Sequence, residues 1–198
     1  DLYILAISDD ALEEVCQALS KILPQDSFLA HTSGATPSSI FANYFNNYGV
    51  FYPLQSFSKA QAVDFAHIPI CVDASQTHLL KLLYQLAQKI STKVYKINDE
   101  QRAYLHVAAV FANNFSNYLF HVAYELSQEH QIPFDLLRPL ILESAQKVQY
   151  FPPAQMQTGP AIREDEITMQ RHLELLKSHP NWRKLYEDLS AAIQRMKP

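Results

Sequence analysis

The stretch Leu2-Tyr3-Ile4-Leu5-Ala6-Ile7, followed by Ser8-Asp9-Asp10 and then Ala11-Leu12-Glu13-Glu14-Val15-Cys16-Gln17-Ala18-Leu19, decides the fold. The opening apolar run reads as a buried strand. Ser8-Asp9-Asp10 ends it and starts a helix, with Asp10 and Glu13 spaced as an acidic capping box. Leu12, Val15, Cys16, Leu19, Ile22 and Leu23 recur at helical spacing and give one buried face, and Pro24 stops the helix. Ser27-Phe28-Leu29-Ala30-His31 is the next strand. A strand, a helix and a second strand in that order make a parallel pair, because the crossing helix returns the chain to the same end of the sheet.

The same rhythm continues outward. Pro37 opens a helix near 37–45. Val50-Phe51-Tyr52 and Ile68-Pro69-Ile70-Cys71-Val72-Asp73 are further strands, with Pro69 marking an edge or a strand start. An amphipathic helix spans 76–90, and Lys93-Val94-Tyr95-Lys96-Ile97 is the last strand. From Asp99 onward no strand pattern remains. A long helix over 99–131, broken by Pro133, precedes helices at 134–149, 160–177 and 180–196. The class is therefore α/β plus all-α: residues 1–98 form a mostly parallel sheet layer and 99–198 a helical domain. The long helix is apolar on more than one face and needs cover on several sides, which a homodimer through the helical half would supply. A buried parallel strand also needs neighbours, so a segment upstream of Asp1 is expected.

Only three glycines occur in 198 residues, where average usage would give roughly fourteen. No Gly-x-Gly-x-x-Gly and no Gly-x-x-x-x-Gly-Lys-Ser/Thr is present, so this chain alone builds no phosphate-cradling loop. The net charge of −4 with scattered Lys and Arg gives no basic stripe, which argues against nucleic acid. The apolar runs are too short to span a membrane, and no signal-peptide pattern is visible. Cys16 and Cys71 fall on apolar faces and read as small buried hydrophobes of a reducing, cytoplasmic setting. The eight histidines form no metal-binding spacing, so no metal is expected.

Three places could carry chemistry. His106, Asn114 and Asn117 lie within about 80° of one another on an ideal α-helix, with Val110 between them and Asn113 extending the stripe. They read either as a substrate cleft, His106 moving a proton and the amides orienting a carbonyl, or as satisfied core or dimer-seam polars. His31-Thr32-Ser33-Gly34 and Ser8-Asp9 end adjacent strands on the rim where open α/β sheets bind ligands; helix capping is the alternative. Thr158-Gly159-Pro160 reads as a helix N-terminus, with Arg163 one turn in, that could hold an anionic tail. Its alternative is a surface ion pair among Glu164, Asp165 and Glu166.

Taken in order, Asp1 to Asp10, His31-Thr32-Ser33-Gly34-Ala35, Tyr52-Pro53-Leu54-Gln55-Ser56-Phe57-Ser58, His106-Val107-Ala108-Ala109 with Asn114-Phe115, and Thr158-Gly159-Pro160-Ala161-Ile162-Arg163-Glu164-Asp165 resemble the Rossmann-like proteins of the DUF2520 family. These are similar in layout to pyrroline-5-carboxylate reductase and F420-dependent NADP oxidoreductases. The resemblance implies the C-terminal part of a Rossmann-like NAD(P)-binding domain (1–98) followed by a helical substrate and dimerisation domain like the C-terminal domain of 6-phosphogluconate dehydrogenase (99–198). It implies an upstream portion of roughly sixty residues holding the first strand and the Gly-rich turn. It implies a cytoplasmic NAD(P)-dependent oxidoreductase, NADP favoured over NAD, passing hydride between nicotinamide and a small carbonyl or imine. Ile7, Ser8, Asp9, Thr32, Ser33 and Gly34 would border the cofactor. Tyr52, Gln55, Thr158, Gly159 and Arg163 would meet the substrate, and His106, Asn117 and Asn114 would do the chemistry. A dinucleotide sensor without turnover and a dimeric scaffold remain the alternatives.

Overall fold

The computed structural model describes residues 1–57 and 62–196; Ser58, the last residue of the Tyr52 motif, lies outside them. One sheet carries β1 (Leu2–Leu5), β2 (Phe28–His31), β3 (Asn47–Pro53), β4 (Ile70–Ala74) and β5 (Val94–Lys96), side by side in chain order. β1 pairs parallel with β2, β2 with β3, and β4 with β5, while β3 and β4 run antiparallel. The mostly parallel expectation holds. Helix α1 (Leu12–Leu19) makes the β1–β2 crossover, and α2 (Thr77–Gln88) makes the β4–β5 crossover. No α-helix joins β3 to β4 among the described residues, and the two strands meet antiparallel.

The strand period sorts the core onto two faces. Ala30, Phe51, Ile70 and Val72 pack with Leu79, Leu83 and Ala87 of α2 on one side. Leu29 packs with Cys16 of α1, Phe41 and Phe45 on the other. Gly49 must be glycine: a Cβ there would run into the Asp73 carbonyl oxygen on β4. Both cysteines are free and buried as expected; burial, with the Glu13 charge behind it, pushes the Cys16 thiol up to about 11.

Several local readings change. β1 ends at Leu5 and is half-buried, with Ile7 exposed. Asp10 lies inside a 3-10 turn, Asp9–Ala11, and makes no cap, so the Asp10–Glu13 box does not form. The helix expected at 37–45 is a single 3-10 turn, Ser38–Phe41. The long helix is real but composite: α3 (Asp99–Ala109), a π-helical stretch Val110–Phe115, and α4 (Ser116–Glu129). The Ser116 hydroxyl donates to the Phe111 carbonyl five residues back, which supports the widened turn. Then follow α5 (Arg138–Tyr150), α6 (Glu166–Leu175) and α7 (Pro180–Gln194).

The chain forms two compact units, Asp1–Asn117 and Tyr118–Pro198. The first turns of the long helix stay with the sheet because Leu105 packs on Val50, Tyr52 and Cys71. In the second unit Ala161 and Leu176 are the buried apolar residues among those described, while Leu136, Tyr150, Ile167 and Leu175 are largely exposed. No described helix is long and apolar enough to cross a membrane.

Candidate functional site

The parallel strands β1, β2 and β3 end on one rim. Beyond β1 stand Ile7, Ser8 and Asp9, all exposed. Beyond β2, the Ser33 hydroxyl accepts from the Ala35 and Thr36 N–H groups at 3.1 and 2.9 Å, which folds Thr32–Thr36 into a tight turn. Gly34 in that turn is buried against the neighbouring elements. A Cβ there would lie 2.6 Å from His106 Nδ1 and 2.8 Å from Cζ of Tyr52. Tyr52 ends β3 and His106 lies on α3, so three elements converge on one residue that can have no side chain.

Tyr52 Oη lies 3.4 Å from His106 Nδ1, with the rings edge to face at 6.4 Å. Which atom carries the shared proton depends on the imidazole tautomer. Burial, with Cys71 behind it, pushes the Tyr52 phenol up, so it stays protonated and available as a donor at neutral pH. A cleft of about 550 Å³ opens beside this pair. Its walls include Leu54, Leu105 and Val110, and its polar groups are Tyr52, Gln55, Ser56, His106, Asn113 and Asn114. Tyr52, Gln55, His106 and Asn114 are thereby brought together. Asn117 is exposed and does not line the cleft. The wheel that grouped it with His106 assumes about 100° per residue, and a π turn closing over five residues advances less. Asn113, seven residues on from His106, lines the cleft beside Asn114.

Arg102 is the residue that sequence reasoning missed. It is 1% exposed, yet it is a charged side chain on α3. Its Nη1 donates to Asp99 Oδ1 at 2.6 Å and its Nη2 to the Thr36 carbonyl. Asp99 Oδ2 in turn accepts from the Ser38 N–H and hydroxyl at 2.8 and 2.9 Å. Burial raises the Asp99 carboxyl, but the Arg102 hydrogen bond and charge outweigh it and leave the carboxyl below its usual range. The network fastens the turn that carries Gly34 to the start of α3. A signal existed: Asn98 and Gln101 form a capping box that fixes where α3 begins, and Asp99 and Arg102 follow at the helical i, i+3 spacing.

His31, at the end of β2, is fully buried. Its Nδ1 accepts from the Ser33 N–H at 3.1 Å, and its Nε2 has no partner among the described residues. Burial and then the Arg102 charge lower its pKa to about 4. The unfolded ring titrates near 6.5, so the unfolded chain takes up the proton first. Stability is full above that value, falls with pH from about 6.5 to about 4, and loses about 3 kcal/mol over that window. Urea unfolding at pH 7 and pH 4.5 should show this slope, and His31→Asn, which keeps an acceptor for Ser33, should flatten it. An unchanged slope in the variant removes His31 as its source.

The second unit holds Thr158, Gly159 and Arg163. Gly159 has φ +109° and nothing near its Cβ position, so it is a turn glycine. The helix expected from 160 starts instead at Glu166, because Asp165 caps it by accepting from Thr168 N–H and hydroxyl. That carboxylate caps the helix start, so the helix N-terminus expected at Thr158-Gly159-Pro160 is not formed. No cluster of three His, Cys, Asp or Glu able to hold a metal occurs among the described residues.

Residues 68–193 match the model of the family described as "Domain of unknown function (DUF2520)". A protein from Bacteroides fragilis, provisionally named an NADP oxidoreductase, is 41% identical. Its structure superposes with a TM-score of 0.92, over 98% of this chain and 75% of that one. A Thermotoga maritima protein, TM1727, is 22% identical with a TM-score of 0.77, over 98% of this chain and 76% of that one. A Mycobacterium avium protein, provisionally named an oxidoreductase, is 14% identical with a TM-score of 0.61, over 98% and 78%. The last two likenesses are of fold. No curated protein matches the chain.

Proposed function

The chain belongs to the DUF2520 family, and from that premise we propose that it is an NAD(P)-dependent oxidoreductase acting on a small carbonyl or imine. The observation that carries this reading is the convergence of Gly34, Tyr52 and His106 beside an apolar cleft, at the rim where open α/β sheets take their ligands. The Bacteroides fragilis relative, named for NADP, supports the choice of NADP over NAD.

The residues present fit the nicotinamide end of such a cofactor. Ile7, Ser8 and Asp9 are exposed on the rim, and Gly34 keeps the adjoining turn free of a side chain. None of the described residues builds a phosphate-cradling loop. A bound nicotinamide dinucleotide supplies the hydride. His106 and Tyr52 hold the proton at the substrate oxygen or nitrogen, Asn114 orients that group, and Leu54, Leu105 and Val110 keep water from it. Thr32 and Ser33 shape the turn behind the cofactor, while a substrate role for Thr158, Gly159 and Arg163 has no helix N-terminus at 160 to support it.

NADPH and NADH titrated by fluorescence against the protein at its full natural length test this reading. Saturable binding, tighter for NADPH, is expected. No binding of either nucleotide overturns it and leaves the scaffold reading. We also propose a homodimer through the helical half. The support is the scarcity of buried residues in the second unit, together with an apolar groove lined by Leu126, Ile132, Leu175 and Leu176. Sedimentation of a monomer at micromolar concentration overturns that.

A further inference from the structure

We propose that the cleft beside His106 selects a neutral ligand bearing a carboxamide or lactam group, and that Asn113 and Asn114 read this group together. The inference rests on the cleft being the substrate site of the function proposed above and narrows its substrate class.

Asn113 and Asn114 are adjacent in sequence, and on a regular α-helix adjacent side chains diverge by about 100°. Here they stand in the π-helical stretch Val110–Phe115, where the angle between neighbours is smaller, and both line one cleft. Neither side chain hydrogen-bonds to another described residue, and both are exposed. Each amide offers two donors and one acceptor. From the same cleft, one can donate to a ligand carbonyl while the other accepts from a ligand N–H. Gln55 adds a third amide on the β3 side, its Oε1 already accepting from the Ser56 N–H so that its NH₂ is what remains to offer.

A carboxylate is served less well. Among the described lining residues none is Arg, Lys, Asp or Glu. The guanidinium on the same helix, Arg102, is spent on Asp99 and the Thr36 carbonyl. An anion entering between Leu54, Leu105 and Val110 gives up hydration without gaining a fixed counter-charge from the described lining residues. A carboxamide of the same shape gives up less and can satisfy its donors and its acceptor on Asn113, Asn114 and Gln55.

The test uses a matched pair of probes, cyclohexanecarboxamide and cyclohexanecarboxylate, with no nucleotide present. Side-chain NH₂ resonances of Asn113 and Asn114 are followed in ¹H–¹⁵N spectra of the whole protein. The carboxamide should shift both resonances and bind at least about tenfold more tightly than the carboxylate. Asn113→Ala and Asn114→Ala should each weaken it about threefold or more, with the melting temperature unchanged. Equal or tighter binding of the carboxylate overturns the proposal, as does carboxamide binding that neither variant weakens, or no carboxamide binding up to its solubility. Because no nucleotide takes part, these outcomes are independent of the NADPH titration that tests the oxidoreductase reading.

Discussion

Arg102→Met is expected to lower the unfolding free energy by about 3–5 kcal/mol, as removal of one partner from a buried ion pair does. Arg102 is 1% exposed, and its loss strands two groups at once. The Asp99 carboxylate loses the charge that offsets its burial, and the Thr36 carbonyl loses its donor, which leaves the turn tied to α3 only through Ser38 and Asp99. Methionine fills most of the volume, so the cost is electrostatic and not a cavity. Urea unfolding at pH 7 reads it directly. The double variant Arg102→Met, Asp99→Asn should recover part of the loss, because it removes the uncompensated carboxylate that the single change creates. A single-variant loss under about 1 kcal/mol would mean that the pair is no more than a surface bridge. The turn held by this network carries Gly34, so a loosened turn should also broaden the His106 ring resonances even where the fold survives.

On the proposed oxidoreductase reading, His106→Ala should cost between about 10² and 10⁴ in the rate of reduction, the range that a positioned acid or base contributes. His106 is the titratable side chain that touches Gly34 and Tyr52 and also lines the cleft. The measurement is turnover of NADPH with the carbonyl or imine that the natural-length protein reduces fastest. Nucleotide affinity should be unchanged within about threefold, since the ring packs on Gly34 and Tyr52 and is not among the exposed residues beyond β1, Ile7, Ser8 and Asp9. Tyr52→Phe should cost less, because it removes a hydrogen bond to the imidazole and leaves the ring in place. Asn114→Ala should raise KM more than it lowers kcat. Undiminished turnover in His106→Ala removes the ring from the chemistry. A loss that matches that of Gly34→Ala would instead assign its role to packing, since a Cβ at 34 displaces both His106 and Tyr52 without deleting either.

The strand, helix, strand order at the start of the chain determined the class of the fold. Leu12, Cys16 and Leu19 repeat at the helical period whatever surrounds them, and the burial of Leu12 and Cys16 on α1 follows from that repeat alone. The strands were legible in the same way, as was the change to helices after Asn98. So was part of the site: His31 to Gly34 and Tyr52 lie on adjacent parallel strands, and their polar ends must share a rim. The edges of elements were less legible, because they depend on which cap wins. Asp10 was free to cap and did not, whereas Asp165 capped a helix that had been placed to start before it.

What only the tertiary structure decided is whatever depends on contact between elements far apart in sequence. A buried arginine has no local signature, since charge predicts exposure until a partner sixty-odd residues away closes around it, as Thr36 does for Arg102. That Gly34 is bare because His106 and Tyr52 press on it could be seen only with β2, β3 and α3 in place. The absence of Asn117 from the cleft is likewise a matter of tertiary geometry. An ideal wheel carries a constant angle per residue, and one π-helical stretch over Val110–Phe115 altered that angle where the amides lie.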